Sequence, residues 1–363
     1  MNPSPEFFIE TLPPGSKSVY RLTLPFAGGL DQLTGQIVLA SSGLSSKEEV
    51  NLAIGEWLHD GRLFVPVLAA RGAKPGATFV VTGGVHGDEY EGMEAIYRTF
   101  EMLDPQQMRG TMIGVPVVTL PAFWLGTRMN PLDARNLARV FPGAATGSPS
   151  EQLADAILQR VLRHATLYID LHSAGRNYHM LTLCGYCSAG SQATRAAEAA
   201  RRFGAPVIWE HPSVSPGRTV SATLELGIPS LYAEAYGGGH VRPDDISTYT
   251  LGLANLLEML EICQPTAATP IRRQSMRVSG SGDLDQALNC TCSGMFFGCR
   301  TIGDRVKQGD DLGVVRGLDG RVLETVRVAE GGVLVLLRAT PRIFAGELVA
   351  ALANEDRCDD LIF

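Results

Sequence analysis

The chain has 363 residues, of which 45% are hydrophobic and 19% are charged, and its formal net charge is −7. This length predicts one large unit and a smaller module, and this charge excludes a basic surface for nucleic acid or for an anionic membrane. No apolar stretch approaches the length of a membrane span. The first residues lack the pattern of a signal peptide, and seven cysteines, an odd number, indicate reduced thiols. We therefore expect a cytoplasmic protein.

Most of the chain alternates strand-like runs with helical patterns. Residues 1–40 look like an irregular arm that leads to alternating segments such as 19–24 and 36–39. From there to about residue 265, the alternation is typical of an α/β fold, a mostly parallel mixed sheet flanked by helices. The pattern predicts strands at 63–68, 79–82, 111–118, 167–171, 180–183, 207–208 and 230–235, and helices at 90–104, 149–164, 190–203 and 247–262.

A glycine-rich turn follows the predicted strand at 79–82. Two glycines end this strand, and apolar residues recur at helical spacing from Met93 onwards. His86 and Glu89 therefore lie in a strand-to-helix turn at the carboxyl end of a strand, where open α/β sheets place their ligands. A lone histidine in such a turn more often makes loop hydrogen bonds, so this pair alone leaves a metal site undecided.

A second histidine ends the predicted strand at 167–171. His172 completes a set of two imidazoles and one carboxylate, which is the ligand set of a catalytic zinc site that keeps one position open for water. Asp170 lies on the same face of this strand because side chains alternate. It could therefore orient His172, or it could cap a neighbouring loop. The sequence thus favours one zinc ion per chain, held by His86, Glu89 and His172.

A third predicted strand, at 230–235, is apolar except for one acid, Glu234. A carboxylate on a core strand next to a metal is a candidate general base. The three glycines at 237–239 would leave room for a substrate. The alternative interpretation is a glutamate at a sheet edge or in a salt bridge.

Cys184 and Cys187 have the spacing of a redox or zinc motif, and Cys290 and Cys292 lie far downstream. The first pair follows a strand instead of opening a helix, and no second pair with the same spacing completes a four-sulfur set. We therefore interpret these cysteines as structural.

The composition changes after residue 264. Residues 265–273 are typical of a linker, and the remainder has many glycines, short strand-like runs and no convincing helix. We therefore predict two domains, 1–265 and 266–363. The second resembles the barrel-sandwich of biotinyl and lipoyl carrier domains at 303–315 and 329–337, but the modifiable lysine is absent. A structural or site-covering role is favoured, and a homo-oligomer stays open.

Three motifs carry a resemblance to a known family: His-Gly-Asp-Glu at 86–89, Asp-Leu-His at 170–172, and the segment RMNPLDARNLARVFPG at 128–143. Together they resemble the succinylglutamate desuccinylase/aspartoacylase family over roughly residues 60–345. Its members are zinc-carboxypeptidase-like amidohydrolases that remove an acyl group from an N-acyl amino acid. The resemblance implies that His86, Glu89 and His172 hold zinc, and that Glu234 is the catalytic glutamate.

The third motif implies how a substrate would be held. By resemblance, Arg128 would stabilise the oxyanion, and Arg139, with Asn136 nearby, would bind a substrate carboxylate, for which a guanidinium fork is well suited. The family usually has a second asparagine where this chain has Ala138, and the loss of such a hydrogen bond is worth about 1.5–3 kcal/mol. Arg218 is the candidate replacement as a carboxylate donor.

These residues predict metal-assisted hydrolysis of the amide in a small N-acyl amino acid. Glu234 would act as the general base, and zinc with Arg128 would stabilise the oxyanion. A zinc carboxypeptidase acting on short peptides is one alternative, although Ala138 weakens the contact it needs. A non-catalytic zinc-bound scaffold is the other, but a binding module has no use for Glu234.

Overall fold

The computed structural model describes residues 11–24, 58–59, 62–264, 275–284 and 287–355. The predicted segment at 36–39, most of the predicted arm and the predicted linker at 265–273 lie outside these ranges. The domain boundary at residue 265 also falls outside them, and it stays a prediction.

The described residues form a large mixed sheet whose central strands are parallel. The strand Lys74–Gly83 runs parallel to Arg109–Val115 and to Leu167–Ser173. Leu167–Ser173 in turn runs parallel to Ser230–Ala235. The strands of the first part of the chain are β1 Ser16–Leu24, β2 Leu58–His59, β3 Arg62–Arg71, β4 Lys74–Gly83, β5 Arg109–Val115, β6 Leu167–Ser173, β7 Tyr178–Met180, β8 Leu183–Cys187, β9 Val207–His211 and β10 Ser230–Ala235.

Helices flank this sheet on both faces, so the central strands are buried on both sides. Leu167 and Ile169 of β6 pack into one apolar cluster, whereas Tyr168 of the same strand packs into the other. The helices that the structure describes are α1 Glu91–Met102, α2 Leu120–Leu125, α3 Pro149–Arg160, α4 Ala193–Phe203, α5 Thr219–Glu225 and α6 Pro243–Met259. None of them combines the length and the apolar character needed to cross a membrane.

The predicted α/β fold is confirmed, with local corrections. The strand predicted at 180–183 is wrong, because the chain leaves one strand at Met180 and enters another at Leu183. Between them, the Leu181 N–H donates to the Val335 carbonyl (2.9 Å) and the Thr182 hydroxyl donates to Asp245 (2.6 Å). These tertiary bonds replace sheet pairing at the break. The short helices α2 and α5 were not predicted.

The predicted β-rich C-terminal module is confirmed, but its strands continue the main sheet. Its strands are β11 Met276–Ser279, β12 Leu288–Asn289, β13 Gly294–Gly298, β14 Arg305–Val306, β15 Asp311–Arg316, β16 Val322–Arg327, β17 Gly332–Arg338, β18 Arg342–Ile343 and β19 Leu348–Glu355. β11 pairs with β9 on one side and with β19 on the other, and β7 pairs with β17. The main sheet thus has the order β1-β3-β5-β4-β6-β10-β8-β9-β11-β19-β17-β14, and a second sheet, β16-β15-β13-β18, completes the module.

Candidate active site

Three neighbouring parallel strands bring the predicted site residues to one edge of the sheet. β4 pairs with β6, and β6 pairs with β10, so their carboxyl ends lie side by side. Glu234 is in direct register with His172, and His86 follows the end of β4 by three residues. The structure therefore brings the predicted metal ligands and the predicted general base to one place.

The turn that carries His86 is packed against α2. A Cβ at Gly87 would lie 1.9 Å from the Ala122 carbonyl carbon, so only glycine fits this position. The Gly87 N–H donates to the Thr127 carbonyl (2.9 Å), which ties the turn to the segment after this helix. Pro121 in the first turn of α2 and a left-handed Gly126 at its end were the available sequence signals for this helix.

Two imidazoles converge on one carboxylate. The Nδ1 atoms of His86 and His172 each lie 2.8 Å from a different oxygen of Glu89. The three candidate ligand atoms lie within 4.8 Å of one another, and Glu89 is 2% exposed. The Arg128 guanidinium also donates to Glu89 (2.8 Å). This donor set, two histidines and one carboxylate, suits zinc.

The ring of His86 faces more hydrogen-bond acceptors than it has protons to donate, so a cation fits beside it. His86 Nε2 lies 3.0 Å from the amide oxygen of Asn136, which also accepts the Ala138 N–H, and His86 Nδ1 faces Glu89. Both ring nitrogens of His86 thus face acceptors, yet burial and the nearby Arg128 charge lower the pKa of His86 to about 4, so the ring holds one proton. A metal ion held by His86 and Glu89 would remove this conflict.

Asp170 orients the second imidazole, as one of its two predicted roles required. Its Oδ2 atom lies 3.0 Å from His172 Nε2, which leaves Nδ1 of that ring facing Glu89. The hydroxyls of Thr82 and Thr219 donate to the same carboxylate, at 2.7 and 2.5 Å. Carboxylates that grip the far nitrogen of a ligand histidine set its tautomer and its basicity.

Glu234 faces the cavity that opens from this cluster. The cavity is also lined by Arg128, Arg139 and His172. Burial raises the pKa of Glu234 above its ordinary value, and the nearby Glu89 charge acts in the same direction. A carboxyl group whose pKa is raised in this way can both take and return a proton near neutral pH.

Only some of the predicted substrate residues line the cavity. Arg128, Arg139 and Arg218 line the cavity, whereas the Asn136 amide oxygen is engaged by His86 and by the Ala138 N–H. The substrate-binding role of Asn136 stays a prediction. Ala138 is 6% exposed and lines the cavity, where it contributes only a methyl group.

The glycines at 237–239 do not form the substrate space that the sequence suggested. None of them lines the cavity. All three have positive φ values of 75–77°, and a Cβ at Gly237 would lie 2.7 Å from the Ala174 side chain. These glycines instead let the chain after β10 turn tightly against the loop that follows β6.

One part of the cavity wall, the loop wall, was not predicted. It is formed by the end of β9, the loop before α5 and residues 280–284, which reach the cavity after β11. Its members are Trp209, His211, Ser213, Val214, Ser215, Arg218, Ser281, Gly282 and Leu284. The only sequence signal was the aromatic and histidine run that ends β9, since nothing local indicates that residues 280–284 return to this place.

The thiols of Cys184 and Cys187 are not placed to bind one metal ion together. Cys184 and Cys187 both lie on β8, three residues apart, so their side chains point to opposite faces of the sheet. Both are free thiols, and burial raises the pKa of Cys184 well above its ordinary value. Their interpretation as structural residues is consistent with these positions.

Comparisons with known proteins agree with the fold and the motifs. The family model described as the succinylglutamate desuccinylase/aspartoacylase catalytic domain matches residues 75–260. The N-alpha-acetyl-L-2,4-diaminobutyric acid deacetylase of Halomonas elongata is 28% identical over 299 residues, which cover 81% of this chain and 86% of that protein.

Solved structures show the same fold. A succinylglutamate desuccinylase from a Silicibacter species superposes with a TM-score of 0.79 at 23% identity, covering 95% of this chain and 98% of that one. The product-bound ectoine utilization protein EutE (DoeB) of Ruegeria pomeroyi gives a TM-score of 0.75 at 26% identity, covering 82% of this chain and 92% of that one.

Proposed function

The chain belongs to the succinylglutamate desuccinylase/aspartoacylase family, and we propose that it is a zinc-dependent amidohydrolase that removes the acyl group from an N-acyl amino acid or a similar small linear amide. The observation that carries this proposal is Glu234, which lies in register with His172 and faces the same cavity. A metal site without a reaction has no need of this carboxylate.

Zinc held by His86, Glu89 and His172 would polarise the amide carbonyl and lower the pKa of a water molecule in the site. Glu234 takes the proton from the attacking water and returns it to the leaving amine. Arg128, anchored on Glu89, donates to the oxyanion that develops on the carbonyl. Arg139, which lines the same cavity, binds a substrate carboxylate.

Two contacts keep this arrangement in order before a substrate arrives. Asp170 and Asn136 hold the outer nitrogens of the two imidazoles, so neither ring can rotate away from the centre. We also propose a cytoplasmic location, which is supported by the free thiols of the described cysteines.

The test is Glu234→Gln, assayed on zinc-loaded protein with N-acetylated amino acids and with dipeptides. We expect kcat to fall by about a hundredfold to ten-thousandfold, the usual contribution of a positioned general base, while the zinc content measured by mass spectrometry stays at the wild-type value. Glu225→Gln, an exposed position at the end of α5, is the matched control.

Near-wild-type turnover in Glu234→Gln would refute the role of Glu234. Hydrolysis of dipeptides in preference to acetylated amino acids would favour a carboxypeptidase instead. Zinc binding without turnover of either substrate class would favour a non-catalytic scaffold.

A further inference from the structure

The loop that follows β11 closes one side of the cavity. Residues 280–284 follow β11 and place Ser281, Gly282 and Leu284 in the cavity wall. Gly282 has a φ of +62°, and a Cβ there would lie 2.2 Å from the His211 ring. This segment is therefore packed directly against the end of β9, and its path leaves no room for a larger residue.

The same segment neutralises the arginine that the sequence suggested as a carboxylate donor. Asp283 Oδ1 lies 3.1 Å from Arg218 Nη2, and its second oxygen accepts the Ser215 hydroxyl (3.1 Å). The side chains of Arg218 and Asp283 are only 20% and 14% exposed, so water screens this pair weakly. A charged substrate group here would have to compete with Asp283 for the guanidinium.

Beside the serines of the loop wall, the cavity around the ion pair is lined by aromatic and apolar side chains. Trp209, Val220 and Leu284 line the cavity, and so does Tyr232. The imidazole of His211 lies between the Gly280 carbonyl (2.9 Å) and the Tyr232 hydroxyl (2.7 Å), and burial lowers its pKa to about 4. His211 is therefore neutral at physiological pH, and its hydrogen bonds are made within the protein.

We propose that this wall selects substrates whose variable group, the acyl chain or the amino-acid side chain, is uncharged and apolar, and that Asp283 is the residue that sets this choice by neutralising Arg218. The inference rests on the proposed deacylase function. At this place an anionic group would meet Arg218 already paired with Asp283, and a cationic group would meet Asp283 already paired with Arg218. An apolar group is stabilised by contact with Leu284, Val220 and the aromatic rings.

Matched substrate pairs test this choice. N-acetyl-leucine and N-acetyl-aspartate differ in side-chain charge at nearly equal shape, and the 4-methylpentanoyl and succinyl derivatives of alanine differ in the same way on the acyl side. We expect the zinc-loaded protein to favour the uncharged member of at least one pair by about tenfold or more in kcat/KM, the size of one charge-assisted contact. The pair that shows the preference identifies which group enters this wall.

Asp283→Asn removes the charge and keeps the shape. We expect the ratio of kcat/KM between the uncharged and the anionic member to fall by about tenfold, because Arg218 can then bind the substrate carboxylate. In the double variant Arg218→Leu with Asp283→Asn, this ratio should rise again in favour of the uncharged member. Asp319→Asn, in an exposed turn where Asp319 pairs with Arg321, is the control.

A wild-type preference for N-acetyl-aspartate or for Nα-acetyl-2,4-diaminobutyrate would overturn the inference, and so would an unchanged ratio in a folded Asp283→Asn protein. Binding of the same pairs to zinc-loaded Glu234→Gln, measured by calorimetry, separates the two proposals. If no substrate is turned over, the deacylase function fails, while the order of the dissociation constants still decides the charge preference.

Discussion

The ligand end of the cavity and the loop wall are built from different kinds of backbone. At the ligand end, the side chains come from the ends of β4, β6 and β10, which neighbouring parallel strands hold in register. At the loop wall, Arg218 pairs with Asp283, and the two residues come from loops that are 65 residues apart in the chain. The predicted metal ligands and general base therefore rest on the sheet edge, whereas the proposed substrate choice rests on a contact between loops.

The largest expected effect concerns the ligand end. Glu89→Gln removes the negative charge that His86, His172 and Arg128 share, so we expect zinc to be lost on dialysis and deacylation to fall to background. Metal content by mass spectrometry checks this. Glu91→Gln is the matched control, because Glu91 is equally buried (2% exposed) but is not among the three candidate ligands. Full zinc occupancy in Glu89→Gln would contradict the assigned site.

A smaller effect is expected at Asp170, which contacts His172 but is not itself a candidate metal ligand. Asp170→Asn weakens the acceptor that holds His172 Nε2, so the zinc dissociation constant should rise by about tenfold to a hundredfold. A competition titration with a chromophoric chelator measures it. Asp245→Asn changes another buried acid with a threonine donor, Thr182, and should leave the zinc affinity unchanged. Equal affinities in all three proteins would show that Asp170 does not support the metal.

The loop wall should make the stability of the protein depend on pH, through His211. The pKa of His211 is about 4 in the folded protein, against an ordinary value of 6.5. Between these values the unfolded chain binds a proton that the folded protein does not. The stability that neutral His211 contributes is therefore present above pH 6.5 and is lost as the pH falls toward 4.

Urea unfolding of zinc-free protein at about pH 7.5 and about pH 5 tests this sign. Wild type should lose about 2 kcal/mol more of its free energy of unfolding than His211→Gln over this interval. Equal losses in the two proteins would mean that His211 is not held neutral, and the uncharged character of this wall would then be in doubt.

The ligand end could be predicted because its information is local. His86 and Glu89 lie in one turn, and His172 lies near the end of β6, whose residues 167–171 are apolar except for Asp170. The short helices α2 and α5 escaped prediction because six or seven residues carry too little periodicity to be distinguished from loops. The break between β7 and β8 escaped it because tertiary hydrogen bonds, not local propensity, end those strands.

The family, the α/β architecture and the candidate metal ligands could be read from the sequence, because alternating strand and helix patterns and contiguous motifs record short-range physics. The tertiary structure was needed to show that the C-terminal strands extend the main sheet through β11. It alone placed Asp283 on Arg218, since a pairing between distant loops leaves no periodic trace in the chain. The proposed choice of substrate depends on that pairing, so the motifs predict the reaction more fully than its specificity.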